Sequence, residues 1–224
     1  MLIAANRARY ILGKLRGIVN EADMLRYYKA TVRPLLEYCS PLFAGACVSS
    51  LARLERFEQK CYTLIAKDPT RSADIAAKQD TLQMRRQVGS LTYLGKIIAG
   101  NAPLRVRAVV PHFEKPKQTL RKSKRLVENA ETKLVFDSSR PNYAQRSGLN
   151  YAAKLFNEMP QSARKILKNH IERKEITSYK RVVVDMIRDK AATGLAKRNG
   201  FAHDPHSGKG PPSCCVNPSR TTLK

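Results

Sequence analysis

Leu25-Arg-Tyr-Tyr-Lys-Ala-Thr-Val-Arg-Pro-Leu-Leu-Glu-Tyr-Cys-Ser-Pro41, followed by Leu51-Ala-Arg-Leu-Glu-Arg-Phe-Glu-Gln-Lys-Cys-Tyr-Thr-Leu-Ile65, decides the fold class. In the first run Leu25, Tyr28 and Val32 recur at helical spacing up to Pro34. A proline inside a helix has no amide donor, so the helix must kink or end there. Leu35, Leu36 and Tyr38 extend it by a further turn until Ser40-Pro41 stops it. In the second run Leu51, Leu54, Phe57, Cys61, Leu64 and Ile65 form one apolar stripe. Ser49 and Ser50 offer caps ahead of that stripe, and Asp68-Pro69 closes it. Two amphipathic helices joined by a Ser-Pro and Gly-containing turn predict a helical bundle.

Working outward, residues 1–19 place Ile3, Tyr10, Ile11, Leu15 and Ile18 near one helical face, with arginines between them. Asn20 can cap the next helix, with Glu21 and Asp23 favouring the positive end of its dipole. A fourth helix fits residues 81–99, with Thr81 as cap and Met84, Val88, Leu91, Leu94 and Ile98 as its stripe. Gly100-Asn101 closes it and Pro103 blocks continuation. Beyond that point Pro111, Pro116 and Pro141 interrupt any regular pattern. Only Arg125-Leu-Val127 and Lys133-Leu-Val-Phe136 read as short strands, enough for one hairpin. Helical spacing returns over 147–158 through Leu149, Ala152, Ala153 and Phe156. It continues over 161–171 and over 177–192, where Tyr179, Val182, Val183, Met186 and Ile187 make the stripe. The expected architecture is mainly α: a helical bundle over 1–104, a basic connector over 105–146, a helical segment over 147–198 and a solvated tail over 199–224.

The charge is lopsided. The 224 residues carry 42 Lys and Arg against 18 Asp and Glu, a net +24. The excess is spread along the chain, so the folded state repels itself unless a polyanion or counterions offset it. Nucleic acid is the first candidate, an acidic membrane surface the second, and charge that only solvates the third. A membrane span is not expected, because no run of about 18 apolar residues occurs. Arg7, Arg9, Lys14 and Arg16 break any signal-peptide core. Five cysteines without framework spacing point to reduced thiols. The expectation is an intracellular protein, in a nuclear or cytoplasmic ribonucleoprotein.

The opening stretch resembles the region just after the polymerase palm in reverse transcriptases of non-LTR retrotransposons. That family carries a tyrosine-rich helix, Val-Arg-Pro, an aliphatic-Glu-Tyr step, Ser-Pro and a Leu-x-x-Leu-Glu helix. Two further pieces follow in order. Residues Leu82 to Pro103 are similar to its helix with an Arg-Arg pair, here Arg85-Arg86, and a Gly-x-x-Pro ending. Tyr151 to Pro160 is similar to its aromatic-Asn-x-aliphatic-Pro step. Family members often have tryptophan where this chain has Phe43 and Phe156, and the chain contains no Trp. The resemblance implies a thumb-like part of a larger polypeptide, gripping primer and template beside palm and fingers supplied by the rest of that polypeptide.

Catalysis is not expected from this chain. Polymerase chemistry needs clustered carboxylates to hold two metal ions, and no Asp-Asp pair occurs. No Gly-rich phosphate loop of the Walker type is present, and the four histidines have no Ser or Cys partner suited to nucleophilic work. His203, His206, Cys214 and Cys215 are potential zinc ligands, but adjacent cysteines rarely share one tetrahedral ion. No cofactor or metal is expected. The densest basic cluster, Arg121, Lys122, Lys124 and Arg125, reads as a phosphate-binding surface. Arg53, Arg56 and Lys60 lie opposite the apolar stripe of their helix, diluted by Glu55 and Glu58, and read equally as backbone contacts or as a solvated face. Tyr27, Tyr28 and Tyr38 read as core or rim residues ahead of base-stacking platforms. The expected partner is RNA, DNA or an RNA–DNA hybrid. The alternative is an independent helical scaffold that recruits an acidic protein.

Overall fold

The computed structural model describes residues 2–66, 68–103, 112–113, 132–135 and 147–192. It is mainly α-helical, with one short two-stranded antiparallel sheet, in agreement with the periodicity. The cluster from Arg121 to Arg125, the run Arg125 to Val127, and the His and Cys of the tail lie outside the described residues.

Helix α1 (Leu2–Leu15) buries a different face from the one expected. Ala5 and Leu12 are buried, and Leu2 and Ala8 pack beside them. Ile3, Tyr10 and Ile18 are 74%, 66% and 82% exposed, and Ile11 is exposed as well. Both sets repeat at helical spacing, so α1 carries two apolar stripes. The one containing alanines faces the bundle because small side chains let helices approach closely.

Helix α2 (Glu21–Tyr27) starts where Asn20 accepts a hydrogen bond from the Asp23 amide at 2.8 Å. A π turn (Tyr28–Val32) then runs into α3 (Arg33–Glu37). The proline thus widens the helix instead of ending it. In a regular helix the Pro34 ring would press on the carbonyl of Ala30, and a wider turn just before the ring relieves that clash. Cys39 takes a left-handed conformation, with φ 56°, and the chain turns into the short helix α4 (Ser40–Phe43).

Helix α5 (Val48–Ala66) begins at Val48, one turn earlier than the Ser49 and Ser50 caps would place it. Both hydroxyls lie instead near the Cys47 thiol, at 3.3 and 3.1 Å. Helix α6 (Pro69–Ala77) escaped the sequence reading, although Asp68 at its cap and a proline at its start are the expected signals. Helix α7 (Leu82–Ile98) follows, its first turn capped by Thr81, whose hydroxyl accepts from the Met84 amide at 3.2 Å. Gly100, at φ 90°, ends it in a conformation that costs a glycine little.

Strand β1 (His112–Phe113) pairs antiparallel with β2 (Leu134–Val135), His112 opposite Val135 and Phe113 opposite Leu134. The expected strand at 133–136 is therefore present in part. Its partner is a two-residue strand behind Pro111, too short to show alternation in the sequence. Helices α8 (Gly148–Asn157), α9 (Gln161–Glu172) and α10 (Ile176–Ala192) are the last elements among the described residues.

The buried apolar residues form two clusters that meet along α7. The first joins α1 to α6, the π turn and Leu82 at the head of α7. The second joins Leu91 and Leu94 of α7 to Leu134, Phe156, Leu167, Tyr179, Val183 and Ile187. Asp80, just ahead of α7, accepts from Arg188 of α10 through both carboxylate oxygens, at 3.1 and 3.0 Å.

Candidate nucleic-acid interface

The cationic face predicted on α5 is one wall of a recess against α1. Arg53, Arg56 and Lys60 follow one another at spacings of three and four residues, so they share one side of the helix, and all three are exposed. Leu2, Asn6 and Arg9 of α1 and Phe57 of α5 complete a recess of about 300 Å³. The Arg9 guanidinium lies 5.5 Å from the centre of the Phe57 ring, within the range of a cation–π contact. Its Nε is buried and has no hydrogen-bond partner among the described residues. Four cations therefore converge where no carboxylate lines the wall.

Of the two glutamates that dilute this face in the sequence, Glu58 is drawn into the interior and Glu55 is paired with an arginine of α7. Glu58 is buried, and its Oε1 accepts from the Tyr28 hydroxyl at 2.6 Å, the Tyr62 hydroxyl at 3.2 Å and Arg85 Nη2 at 2.5 Å. Glu55 accepts from Arg86 Nη2 at 2.7 Å. The adjacent arginines Arg85 and Arg86, noted in the sequence only as part of a pattern, thus reach from α7 to two acids one turn apart on α5. Arg85 also donates to Glu37 at 2.5 Å and to the Asp80 carbonyl, and Arg33 donates to Glu37 at 2.7 Å.

Protonation follows from this wiring. Burial raises the Tyr28 phenol well above its ordinary range, and the Glu58 charge raises it further, so it stays a neutral donor. Tyr62 moves the same way, again by burial first and Glu58 second. Burial alone would lower Arg85, but the Glu58 carboxylate outweighs it and the guanidinium stays charged. The Glu58 charge is therefore held in the interior and the Glu55 charge is paired with Arg86, while Arg53, Arg56 and Lys60 have no carboxylate partner among the described residues.

The tyrosines divide differently. Tyr28 is buried and Tyr27 half-buried, whereas Tyr38 is exposed. Among the described residues no group of His, Cys, Asp and Glu is placed to hold a metal ion, and no helix is long and apolar enough to cross a membrane. Arg9 was missed in the sequence because it sits on a helix whose buried face was read wrongly. Searches for similar proteins found no matching family model, no matching curated protein and no matching solved structure.

Proposed function

We propose that this chain is a non-catalytic nucleic-acid-binding part of a reverse-transcriptase-like polypeptide, contacting the phosphate backbone of a primer–template. The observation that carries the reading is the convergence of Arg9, Arg53, Arg56 and Lys60 in a recess without a carboxylate, made possible because Glu58 and Glu55 pair with Arg85 and Arg86. Phosphate oxygens are the acceptors that such a set of guanidinium and ammonium groups fits. The order of the motifs adds the link to reverse transcriptases, and the net charge of +24 adds long-range attraction. The basic cluster from Arg121 to Arg125 extends the same reading.

The test is binding of a structured RNA, a duplex DNA and an RNA–DNA hybrid at three salt concentrations. With about four phosphate contacts, raising monovalent salt from about 50 to 200 mM weakens binding roughly 10²-fold. Changing Arg53, Arg56 and Lys60 together to Gln lowers the salt slope by nearly one per charge removed and weakens all sequences alike. Helical content is unchanged, since these side chains are exposed. Salt-insensitive binding, or the same slope in the triple variant, removes this face from the site.

A second reading is recruitment of an acidic protein, and one observation favours it. The outer stripe of α1 exposes Ile3, Tyr10 and Ile11 beside Arg7 and Lys14, with Ile18 exposed just beyond the helix and no acidic residue in it. A helix apolar on two sides is usually covered on both. Its occupant on this reading is an amphipathic helix with carboxylates flanking an apolar face, since a second copy of so basic a chain is repelled. A synthetic helical peptide with leucines on one face and flanking glutamates binds, and Ile3→Ser with Ile11→Ser abolishes the binding. Absence of peptide binding to the unaltered protein sinks this reading.

A further inference from the structure

A larger cleft, of about 450 Å³, lies where α3, α4, α7 and α10 come together, away from the recess between α1 and α5. Its volume falls within the range of small-molecule sites, roughly 300–1,000 Å³. Two carboxylates line it, and both are engaged. Glu37 holds Arg33 and Arg85, and Asp80 holds Arg188. The hydrogen bond from Arg188 keeps Asp80 below its ordinary carboxylate range, so that pair stays charged and closed.

Two lysines in the same wall have no such partner. Helices α7 and α10 meet at Gly95, where an added Cβ would lie 2.6 Å from Cε1 of the buried Tyr179. Lys96 and Lys180 are the next residue along each helix; both are exposed and both line the cleft. No carboxylate pairs with either among the described residues. One turn before Lys96, Thr92 also lines the cleft, with a buried hydroxyl that has no hydrogen-bond partner among the described residues. A helical threonine ordinarily returns that bond to the carbonyl four residues back. Tyr93, partly exposed, with Val88, Val184 and Ile187, supplies an apolar and aromatic side.

We propose that this cleft binds a nucleotide through its phosphate, with Lys96 and Lys180 on the phosphate oxygens, the Thr92 hydroxyl as a further polar contact, and the base against Tyr93. Two ammonium groups without counterions select a group carrying more than one negative charge, and an aromatic wall selects a flat, partly apolar body beside it. The site is independent of the phosphate-backbone reading of the α1–α5 recess. Its ligand is either a free nucleotide or the phosphorylated end of a strand, which share the same chemistry.

Calorimetry on the full chain separates these. The probes are adenosine 5′-monophosphate, adenosine, inorganic phosphate, and one short oligonucleotide with either a 5′-phosphate or a 5′-hydroxyl. The expected result is saturable binding of the monophosphate, at least tenfold tighter than adenosine or inorganic phosphate. Alternatively, the phosphorylated oligonucleotide shows the same preference over its hydroxyl form, which identifies a strand end as the ligand. Lys96→Gln with Lys180→Gln weakens the binding at least tenfold at unchanged circular dichroism, and Thr92→Val weakens it less. Arg173→Gln with Lys174→Gln, an exposed pair outside the cleft, leaves it unaltered. Equal affinity for phosphorylated and unphosphorylated probes, no saturable binding of either nucleotide form, or undiminished binding in the double lysine variant overturns the proposal.

Discussion

The two halves of α7 solve the same problem by different chemistry. Its first half enters the cluster formed by α1 to α6 with charge: Arg85 and Arg86 lock onto Glu58 and Glu55, and Tyr28 and Tyr62 donate to the same Glu58 oxygen as Arg85. Its second half enters the other cluster with shape: Leu91, Leu94 and the bare surface of Gly95 receive Tyr179 and its neighbours. A directed ion pair fixes which helix sits where but fails abruptly when one partner is lost. A close-packed apolar contact tolerates a chemical change and punishes a change in volume. The same helix therefore gives two regions that should respond to opposite kinds of substitution.

The largest effect is expected in the charged half. Glu58→Ala leaves Arg85, whose side chain is 7% exposed, with only the half-buried Glu37 as counterion and removes the acceptor shared by two tyrosine hydroxyls. Breaking a buried pair in this way costs about 3–5 kcal/mol. Urea denaturation reads it directly. Adding Arg85→Met to Glu58→Leu should recover most of the loss, because a matched apolar pair escapes the desolvation of both charges. A loss under about 1 kcal/mol in Glu58→Ala would mean the network adds little and the contrast between the two halves is false.

The apolar half is probed by adding one carbon. In Gly95→Ala the new methyl meets the Tyr179 ring, which cannot swing aside because it is fully buried and its hydroxyl donates to the Leu91 carbonyl at 3.0 Å. Overpacking of this kind costs about 1–3 kcal/mol. Tyr179→Phe in the same background keeps the clash, whereas Tyr179→Leu relieves part of it. If Gly95→Ala is neutral or stabilising through its helix propensity, the two helices are less tightly packed than described.

How much of this was legible depended on what kind of signal each residue sends. The stripes of α5, α7, α8 and α10 were readable because one apolar residue per turn is a statement about a single surface. The α1 stripe was misread because Leu2, Ala5 and Leu12 compete with Ile3, Tyr10 and Ile11, and hydrophobicity alone favours the bulkier set. Packing chose the smaller one. Glu58 reads as a surface charge in the sequence because burial of a carboxylate depends on Arg85, 27 residues away. No local pattern reports that pairing. Arg53, Arg56 and Lys60 were legible as a face, but whether that face was diluted turned on the same distant arginines. The cleft beside Lys96 and Lys180 was invisible for the same reason, since it exists only once α7 and α10 cross.

Asn157 shows a motif residue with a structural duty. Its Oδ1 accepts from the Leu134 amide at 2.9 Å, and its Nδ2 donates to the Leu134 carbonyl at 2.8 Å, so it clamps β2 to the end of α8. Asn157→Ala removes both bonds and should cost about 1–2 kcal/mol. Hydrogen exchange locates the loss: the Leu134 amide should lose protection while the amides of α5 keep theirs. An unchanged Leu134 amide would assign the clamp to the packing of Phe156 and Phe113.

The smallest effect separates the two halves by pH. Burial pushes the Cys61 thiol from 9.0 up to about 12, with the Arg9 charge opposing and the Glu58 charge reinforcing the shift. Below pH 9 the thiol is protonated in both the folded and the unfolded chain, so it adds no dependence. Between pH 9 and 12 the unfolded chain releases this proton and the folded chain keeps it, so stability falls as pH rises. Tyr28, Tyr62, Tyr151 and Tyr179 are raised as well and act with the same sign, each weakly between pH 9 and 10 and more strongly above it. From pH 9 to 10 Cys61 is the largest single contributor, at about 1 kcal/mol against roughly a third of that for each tyrosine. Cys61→Ala destabilises at neutral pH by opening a small cavity in the first cluster, yet it should flatten the decline between pH 9 and 10. Tyr179→Phe, in the second cluster, should change that interval by only about a third as much and soften the decline mainly at higher pH. Equal slopes for Cys61→Ala and the unaltered protein between pH 9 and 10 would show that the first cluster admits enough water to ionise its thiol, and would make it less dry than the second.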